Sequence, residues 1–308
     1  MSTRFPAVDP DGLLEYSVVF TDRSLNHMSA QFQQVMRDIS ATLKEVYHAQ
    51  AVALVPGGGT YGMEAVARQF AGGKHCLVLR NGWFSYRWSQ IFEMGNIPAR
   101  ETVLKARPVM AGPRQPFTPA PIDEVVAAIR REKPDLVFAP HVETASGIIL
   151  PDGYLQAVSA AVHEHGGLFV LDCVASGAIW VDMQQCGIDV LISAPQKGWS
   201  ASPCAALVML GEEAARRIES TRSSSFACDL LKWLQIMRAY ENGGHAYHAT
   251  LPTDALLKLR DTMVESRTLG FLCCGRSSGS WGSRCGHCWR RRVSAVWLPA
   301  VSKHRALW

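Results

Sequence analysis

Beyond Glu265 this chain of 308 residues has no aspartate or glutamate at all. Eight lysines and arginines follow that point, and they account for the whole basic surplus. The formal net charge is +4, yet the segment through Glu265 holds 23 basic and 27 acidic residues, a net of −4. A surplus confined to one end gives no ground for reading the body of the chain as a nucleic-acid binder. Long apolar runs are missing too. No stretch approaches the roughly 18 uncharged residues of a membrane span. Met1-Ser2-Thr3-Arg4-Phe5-Pro6 lacks the apolar segment of a secretory leader. The expectation is a cytoplasmic chain with no membrane partner. In that compartment nine cysteines, an odd number, read as thiols rather than a disulfide framework. No internal repeat is present. With 48% hydrophobic and 19% charged residues, the composition is that of a soluble globular chain with one large domain or two unequal ones.

What the chain does contain is alternation. Residues 28–48 place Phe32, Val35, Met36, Ile39, Leu43, Val46 and Tyr47 at helical spacing. Strand 51–55 follows, then a helix from Tyr61 to Phe70, strand 76–79 and a helix around Tyr86 to Met94. After a less regular, proline-rich stretch come helix 122–132, strand 135–139, helix 154–165 and two apolar runs, 168–171 and 188–193. Residues 205–210 form another strand, reached by a short turn and therefore antiparallel. The pattern predicts an α/β fold whose mostly parallel sheet has helices on both faces and one antiparallel strand. Its ligands belong at the C-terminal ends of the strands.

Two such ends stand out. Asp172 closes the run Leu168-Phe169-Val170-Leu171, and Lys197 lies in the turn after the next run, Ala194-Pro195-Gln196-Lys197-Gly198-Trp199. An acid and an amine at neighbouring strand ends suit pyridoxal 5'-phosphate, which needs an amine for a Schiff base and an acid beside its pyridine nitrogen. Taken alone, Lys197 reads as a solvated loop lysine. Three further strand ends strengthen the other reading. Gly57-Gly58-Gly59-Thr60 opens a helix, where glycines admit an anion to the backbone amides and the helix terminus adds partial positive charge. It has neither the lysine of a P-loop nor the G-x-G-x-x-G spacing of a dinucleotide site. Asn81-Gly82-Trp83-Phe84 offers an aromatic ring to stack on a planar group. Pro140-His141-Val142-Glu143-Thr144-Ala145-Ser146-Gly147 crowds polar groups at a third end. Singly, each is ordinary turn or core chemistry.

In combination these motifs resemble the class V aminotransferases of the fold-type I pyridoxal-phosphate enzymes, nearest to the alanine–glyoxylate and serine–glyoxylate (serine–pyruvate) branch. The resemblance runs from the helix at Met28 to Arg267. It implies that Gly58, Gly59 and Thr60 hold the phosphate, Phe84 stacks on the ring and Thr144 contacts the cofactor. Asp172 would be the pyridinium partner, Val174 the residue on the ring's other face, and Gln196 the neighbour of the Schiff-base residue Lys197. Tyr247-His248-Ala249-Thr250 resembles the segment that reaches the neighbouring subunit's phosphate, with Tyr247 and Thr250 as contacts, so a homodimer with shared active sites is implied. The implied activity moves an amino group from alanine or serine to glyoxylate or pyruvate, with Lys197 shuttling the α-proton and Asp172 ionised. No metal is implied. Cysteine desulfurases of the same class carry His before the lysine, whereas this chain has Gln196. Phosphonate aminotransferases, lyases and pyridoxamine–pyruvate transaminases stay open as alternatives.

The family pattern breaks near the C-terminus. Related chains continue through a long helix into a smaller domain that carries an arginine for the substrate carboxylate. Here Cys273-Cys274-Gly275-Arg276 and Cys285-Gly286-His287-Cys288-Trp289-Arg290-Arg291-Arg292 follow instead, a segment holding four of the nine cysteines and four of the nine tryptophans. That composition is what a reading-frame shift would give; the cysteine spacing matches no ordinary zinc site. The expected organisation is an N-terminal arm (1–27), a cofactor-binding large domain (28–252), the start of a connecting helix (253–270) and an aberrant, disordered tail (271–308). A catalytically impaired cofactor-binding remnant or dimerisation partner is the alternative function.

Overall fold

The computed structural model describes residues 25–110 and 116–271. Most of the expected N-terminal arm and all of the tail after residue 271, including its cysteines, lie outside the described residues. The compact unit that ends at Leu269 is built on one seven-stranded sheet. In chain order its elements begin α1 (Ala30–Tyr47), β1 (Ala51–Pro56), α2 (Gly59–Phe70), β2 (His75–Arg80), α3 (Trp83–Gly95) and β3 (Arg100–Lys105). A short pair, β4 (Arg107–Pro108) and β5 (Phe117–Thr118), precedes α4 (Ile122–Glu132) and β6 (Leu136–Pro140). A second short pair, β7 (Val142–Glu143) and β8 (Ile148–Ile149), leads to α5 (Asp152–His163), β9 (Leu168–Asp172) and α6 (Met183–Cys186). Then come β10 (Val190–Ser193), β11 (Ala205–Leu210), α7 (Glu212–Arg217), α8 (Leu230–Glu241) and α9 (Thr253–Leu269).

The spatial order is β1-β11-β10-β9-β6-β2-β3, with β11 antiparallel to both neighbours and the β10-β9-β6-β2-β3 pairings all parallel. This is the mostly parallel sheet with one reversed strand that the sequence pattern predicts. Helices cover both faces, so the central strands are continuous apolar runs; every residue of β6, β9, β10 and β11 is buried. β3 differs. It occupies the sheet edge inside the stretch that reads as irregular, and its six residues are exposed or half-buried, leaving no apolar periodicity to see.

Ser29 starts α1 by accepting the Phe32 N–H at its Oγ, 3.1 Å away. The buried stripe Phe32, Val35, Met36, Ile39 and Leu43 then lies inward, as the spacing requires. α9 returns across α1, burying Leu256, Leu259 and Met263 and pairing Arg260 with Asp38 at 3.0 Å and Arg267 with Glu45 at 2.6 Å. The five cysteines among the described residues, Cys76, Cys173, Cys186, Cys204 and Cys228, are buried free thiols. Among the described residues no helix is long and apolar enough to cross a membrane.

β1 and β2 follow one another in sequence but stand toward opposite ends of the sheet, so the chain changes direction after β1. In such sheets the crevice beyond the strand C-termini receives ligands. The loops after β1, β2, β6, β9 and β10 all leave from that edge.

Candidate active site

Pro56 ends β1, and Gly57 turns the chain at φ +121°, a conformation that disfavours any side chain. The helix then begins at Gly59, two residues before the apolar pattern places it. The first amides of α2 have no intrahelical acceptor and are available to an anion. A Cβ built on Gly58 would meet nothing within 4 Å, whereas one on Gly59 would strike Val174 Cγ2 at 2.6 Å. Gly58 thus faces open space, and Gly59 is a glycine because the loop after β9 presses directly on the α2 backbone.

The loop after β2 is fixed from below by a carboxylate. Glu143 is fully buried at the end of β7. Its carboxylate accepts the backbone N–H of Phe84 at 3.2 Å, that of Ser85 at 2.8 Å and that of Ala145 at 3.2 Å. The Ser85 hydroxyl donates to it at 2.7 Å while accepting the amides of Asn81 and Gly82 at 2.9 and 3.0 Å. A negative charge at the α3 N-terminus is electrostatically favourable as well as hydrogen-bonded. One buried anion therefore sets both Phe84, partly exposed, and Thr144, exposed one residue further on.

Asp172 closes β9 with 7% of its surface exposed, and its Oδ1 accepts the Val174 N–H at 2.9 Å. Burial raises its pKa to about 6; the Val174 hydrogen bond and then the Arg87 charge oppose that rise, and the Glu143 charge adds to it. A cationic N–H brought to this carboxylate would relieve its desolvation. Beside it, His141 donates its backbone N–H to the Asp172 carbonyl at 2.9 Å and joins Nδ1 to Ser176 Oγ at 2.7 Å. Burial lowers the His141 pKa to about 4, so this ring stays neutral.

β10 pairs with β9 in parallel, Ile192 opposite Asp172, which sends the Lys197 turn out beside the Asp172 loop. The two loops touch. A Cβ on Gly198 would overlap the Gly177 carbonyl oxygen at 1.8 Å. Trp199 anchors the turn in the core, fully buried and packed against Trp180 with ring centres 4.5 Å apart and planes tilted by 38°. Tyr47 donates its hydroxyl to Ser193 Oγ at 3.2 Å beneath the same turn. Gln196 and Lys197 are left exposed above this anchor.

Of the residues singled out by sequence, the glycine turn, Thr60, Phe84, Thr144, Asp172, Val174, Gln196 and Lys197 all lie at this one sheet edge, on its loops, at the last residue of β9 or in the first turns of α2 and α3. Tyr247 and Thr250 do not join them through any contact among the described residues. They face each other at 3.5 Å, and Tyr247 packs on His27 at 5.6 Å between ring centres. Two participants were not singled out. Glu143 lies inside a quoted motif without an assigned part. Arg87 lies on α3 three residues after Phe84, a helical spacing that puts both on one face. Among the described residues no cluster of three or more His, Cys, Asp or Glu is arranged for a metal ion.

The side chains fit pyridoxal 5'-phosphate. A buried acid that makes no ion pair among the described residues, an open glycine turn at a helix start, a partly exposed ring and an exposed amine lie close together at this edge. The Asn81 amide nitrogen, buried in the same set of loops, has no hydrogen-bond partner among the described residues. Sheet and loops together define a fold-type I α/β architecture.

Residues 13–261 match the family model described as Aminotransferase class-V, and the chain belongs to that family. It is 28% identical over 248 residues to the alanine–glyoxylate aminotransferase of Rattus norvegicus, covering 79% of this chain and 56% of that protein. The enzyme of the same name from Callithrix jacchus is 30% identical over 246 residues, 78% of this chain and 56% of that one. The chain thus spans little more than half the length of these relatives. The crystal structure of an alanine–glyoxylate aminotransferase from Nostoc sp. superposes with a TM-score of 0.69 at 22% identity, over 86% of this chain and 64% of that one. That likeness establishes the fold.

Proposed function

We propose that this chain binds pyridoxal 5'-phosphate through Lys197 and transfers an amino group from a small amino acid, alanine or serine, to glyoxylate or pyruvate. The observation that carries the reading is the joint between the two loops: Gly198 against Gly177, which holds the Lys197 turn beside the buried Asp172. The alanine–glyoxylate relatives supply the substrate class. A homodimer, in which Tyr247 and Thr250 serve the partner's site, goes with the same reading.

When bound, the cofactor supplies a conjugated, electron-withdrawing ring that stabilises negative charge at the substrate Cα. The protein's work is arrangement and proton handling. The amides after Gly58 and the Thr60 hydroxyl bind the phosphate. Phe84 and Val174 would flank the ring, and the Thr144 hydroxyl would offer it a hydrogen bond. Asp172 would hold a proton on the ring nitrogen, and that positive charge would offset the cost of an ionised, buried carboxylate. Lys197 would hold the cofactor through its amine, and that amine would take the proton from the substrate Cα and return it.

Purified full-length chain, incubated with pyridoxal 5'-phosphate, is expected to develop the visible band of a lysine-bound cofactor. Lys197→Ala should abolish it. Glyoxylate with alanine should then yield glycine and pyruvate. A wild-type chain that gives no band refutes the reading; a band without amino transfer leaves a cofactor-binding protein and refutes the activity.

A further inference from the structure

Arg87 touches two of the proposed contacts, Thr60 and Phe84. Its Nη1 donates to Thr60 Oγ1 at 3.0 Å, at the start of α2. Its guanidinium lies over the Phe84 ring, 5.6 Å from the ring centre. It is half-buried on α3, the helix that also carries Phe84. The direction of the Thr60 bond matters. A hydroxyl has one proton and two lone pairs. Because Arg87 can only donate, the Thr60 oxygen accepts, and the hydroxyl proton is left to point elsewhere. Thr60 is exposed, and Gly58, two residues before it, borders open space. An anion seated on the α2 amides would find the Thr60 hydroxyl proton free to donate, backed by the positive charge of Arg87.

We propose that Arg87 is the residue that makes this site select a phosphorylated ligand over its dephosphorylated form, by orienting Thr60 and supplying charge behind it. This rests on the cofactor reading above and goes beyond it. Arg87 is then a positioning residue whose effect is confined to the phosphate end of the ligand. Its charge also lowers the pKa of Asp172, which gives a second, distinguishable route by which its loss could act. An effect through Asp172 would weaken every ligand that carries the pyridine ring, phosphorylated or not.

The test compares pyridoxal 5'-phosphate with pyridoxal. Both are titrated into full-length wild-type, Arg87→Gln and Arg87→Lys chains, followed by absorbance and by quenching of tryptophan fluorescence. The ratio of the two Kd values should fall by about tenfold or more in Arg87→Gln, the scale of one charge-assisted hydrogen bond. Pyridoxal affinity should stay nearly constant, which also certifies that the variant is folded. Arg87→Lys, which keeps the charge, should recover part of the ratio. Inorganic phosphate should compete with pyridoxal 5'-phosphate in the wild type and much less in Arg87→Gln. An unchanged ratio, with both affinities equal to wild type or both reduced together, overturns the assignment while leaving the cofactor reading intact. A wild type that binds neither ligand overturns both.

Discussion

Glu143 and Ser85 are joined twice inside the protein: the Ser85 amide and the Ser85 hydroxyl both donate to Glu143 Oε2, at 2.8 and 2.7 Å. Because the same carboxylate also takes the Phe84 and Ala145 amides, the loops after β2 and β6 are not independent. Gly82 is part of this joint, since a Cβ there would fall 2.7 Å from the Glu143 side chain. Phe84 and Thr144, proposed to meet a cofactor from different loops, are therefore set by one buried anion.

Removing that anion should unfold the joint. Glu143→Ala leaves buried amide donors without an acceptor, and the expected loss of stability is about 3 kcal/mol, the scale of hydrogen bonds to a charged group together with unsatisfied donors. Glu143→Gln should recover little, because its amide NH2 would face N–H donors. Urea midpoints of the two variants check this; midpoints equal to wild type would show that the joint does not hold the loops.

Asp172 gives a prediction of opposite sign. Its carboxyl has a pKa raised by burial from 3.8 to about 6 in the cofactor-free chain. A carboxyl whose folded pKa exceeds its unfolded value favours folding below the unfolded pKa, and that contribution is lost as pH rises through the folded pKa. Between about pH 4 and 6 the cofactor-free chain should therefore lose stability from this group, by about 3 kcal/mol in all. Asp172→Asn keeps the acceptor for the Val174 amide and removes the charge. At pH 8 it should melt higher than wild type without cofactor, yet fail to transfer amino groups. Melting curves of both apo chains across pH decide it; a variant less stable than wild type at pH 8 would contradict the burial argument.

The contrast between Asp172 and Arg87 indicates what is legible in a single sequence. β9 and β11 are read directly, because strands buried on both faces need unbroken apolar runs, and Asp172 is conspicuous as the charge that ends one. β3 is hidden, since Arg100, Glu101 and Thr102 form an edge strand through pairing with β2, a non-local cause with no local pattern. The glycine turn, Asp172 and Lys197 announce themselves by position at strand ends. Glu143 and Arg87 do not, because their parts are defined by partners 58 and 27 residues away in sequence. α8 likewise falls in a stretch without an assignment, although Leu230, Trp233, Leu234 and Met237 bury one face of it.

Packing at the glycine turn can be tested by exchange of volume. Gly59→Ala would drive a methyl to 2.6 Å from Val174 Cγ2 and displace the loop that carries Asp172. Overpacking of this kind costs about 1–3 kcal/mol, and cofactor affinity should fall with it. Val174→Ala in the same chain removes the opposing methyl groups and should return most of the lost stability. A double-mutant cycle with additive effects would mean that the two residues do not press on each other in solution.

Gly198 offers the most direct test of the joint that carries the functional reading. Its missing side chain leaves room for the Gly177 carbonyl, which any Cβ would overlap at 1.8 Å, a distance no small rotation relieves. Gly198→Ala must push the Lys197 turn away from the loop after β9. The core anchor should survive, because Trp199 remains buried against Trp180 and Tyr47. The variant is therefore expected to fold, with near-native circular dichroism, while the rate of cofactor attachment at Lys197 falls by about 100-fold, the scale set by misplacing a reacting group by about 1 Å. Stopped-flow absorbance after mixing with pyridoxal 5'-phosphate measures that rate. Attachment as fast as in wild type would separate the lysine's reactivity from its seat beside Asp172, and the loop contact would then be packing alone.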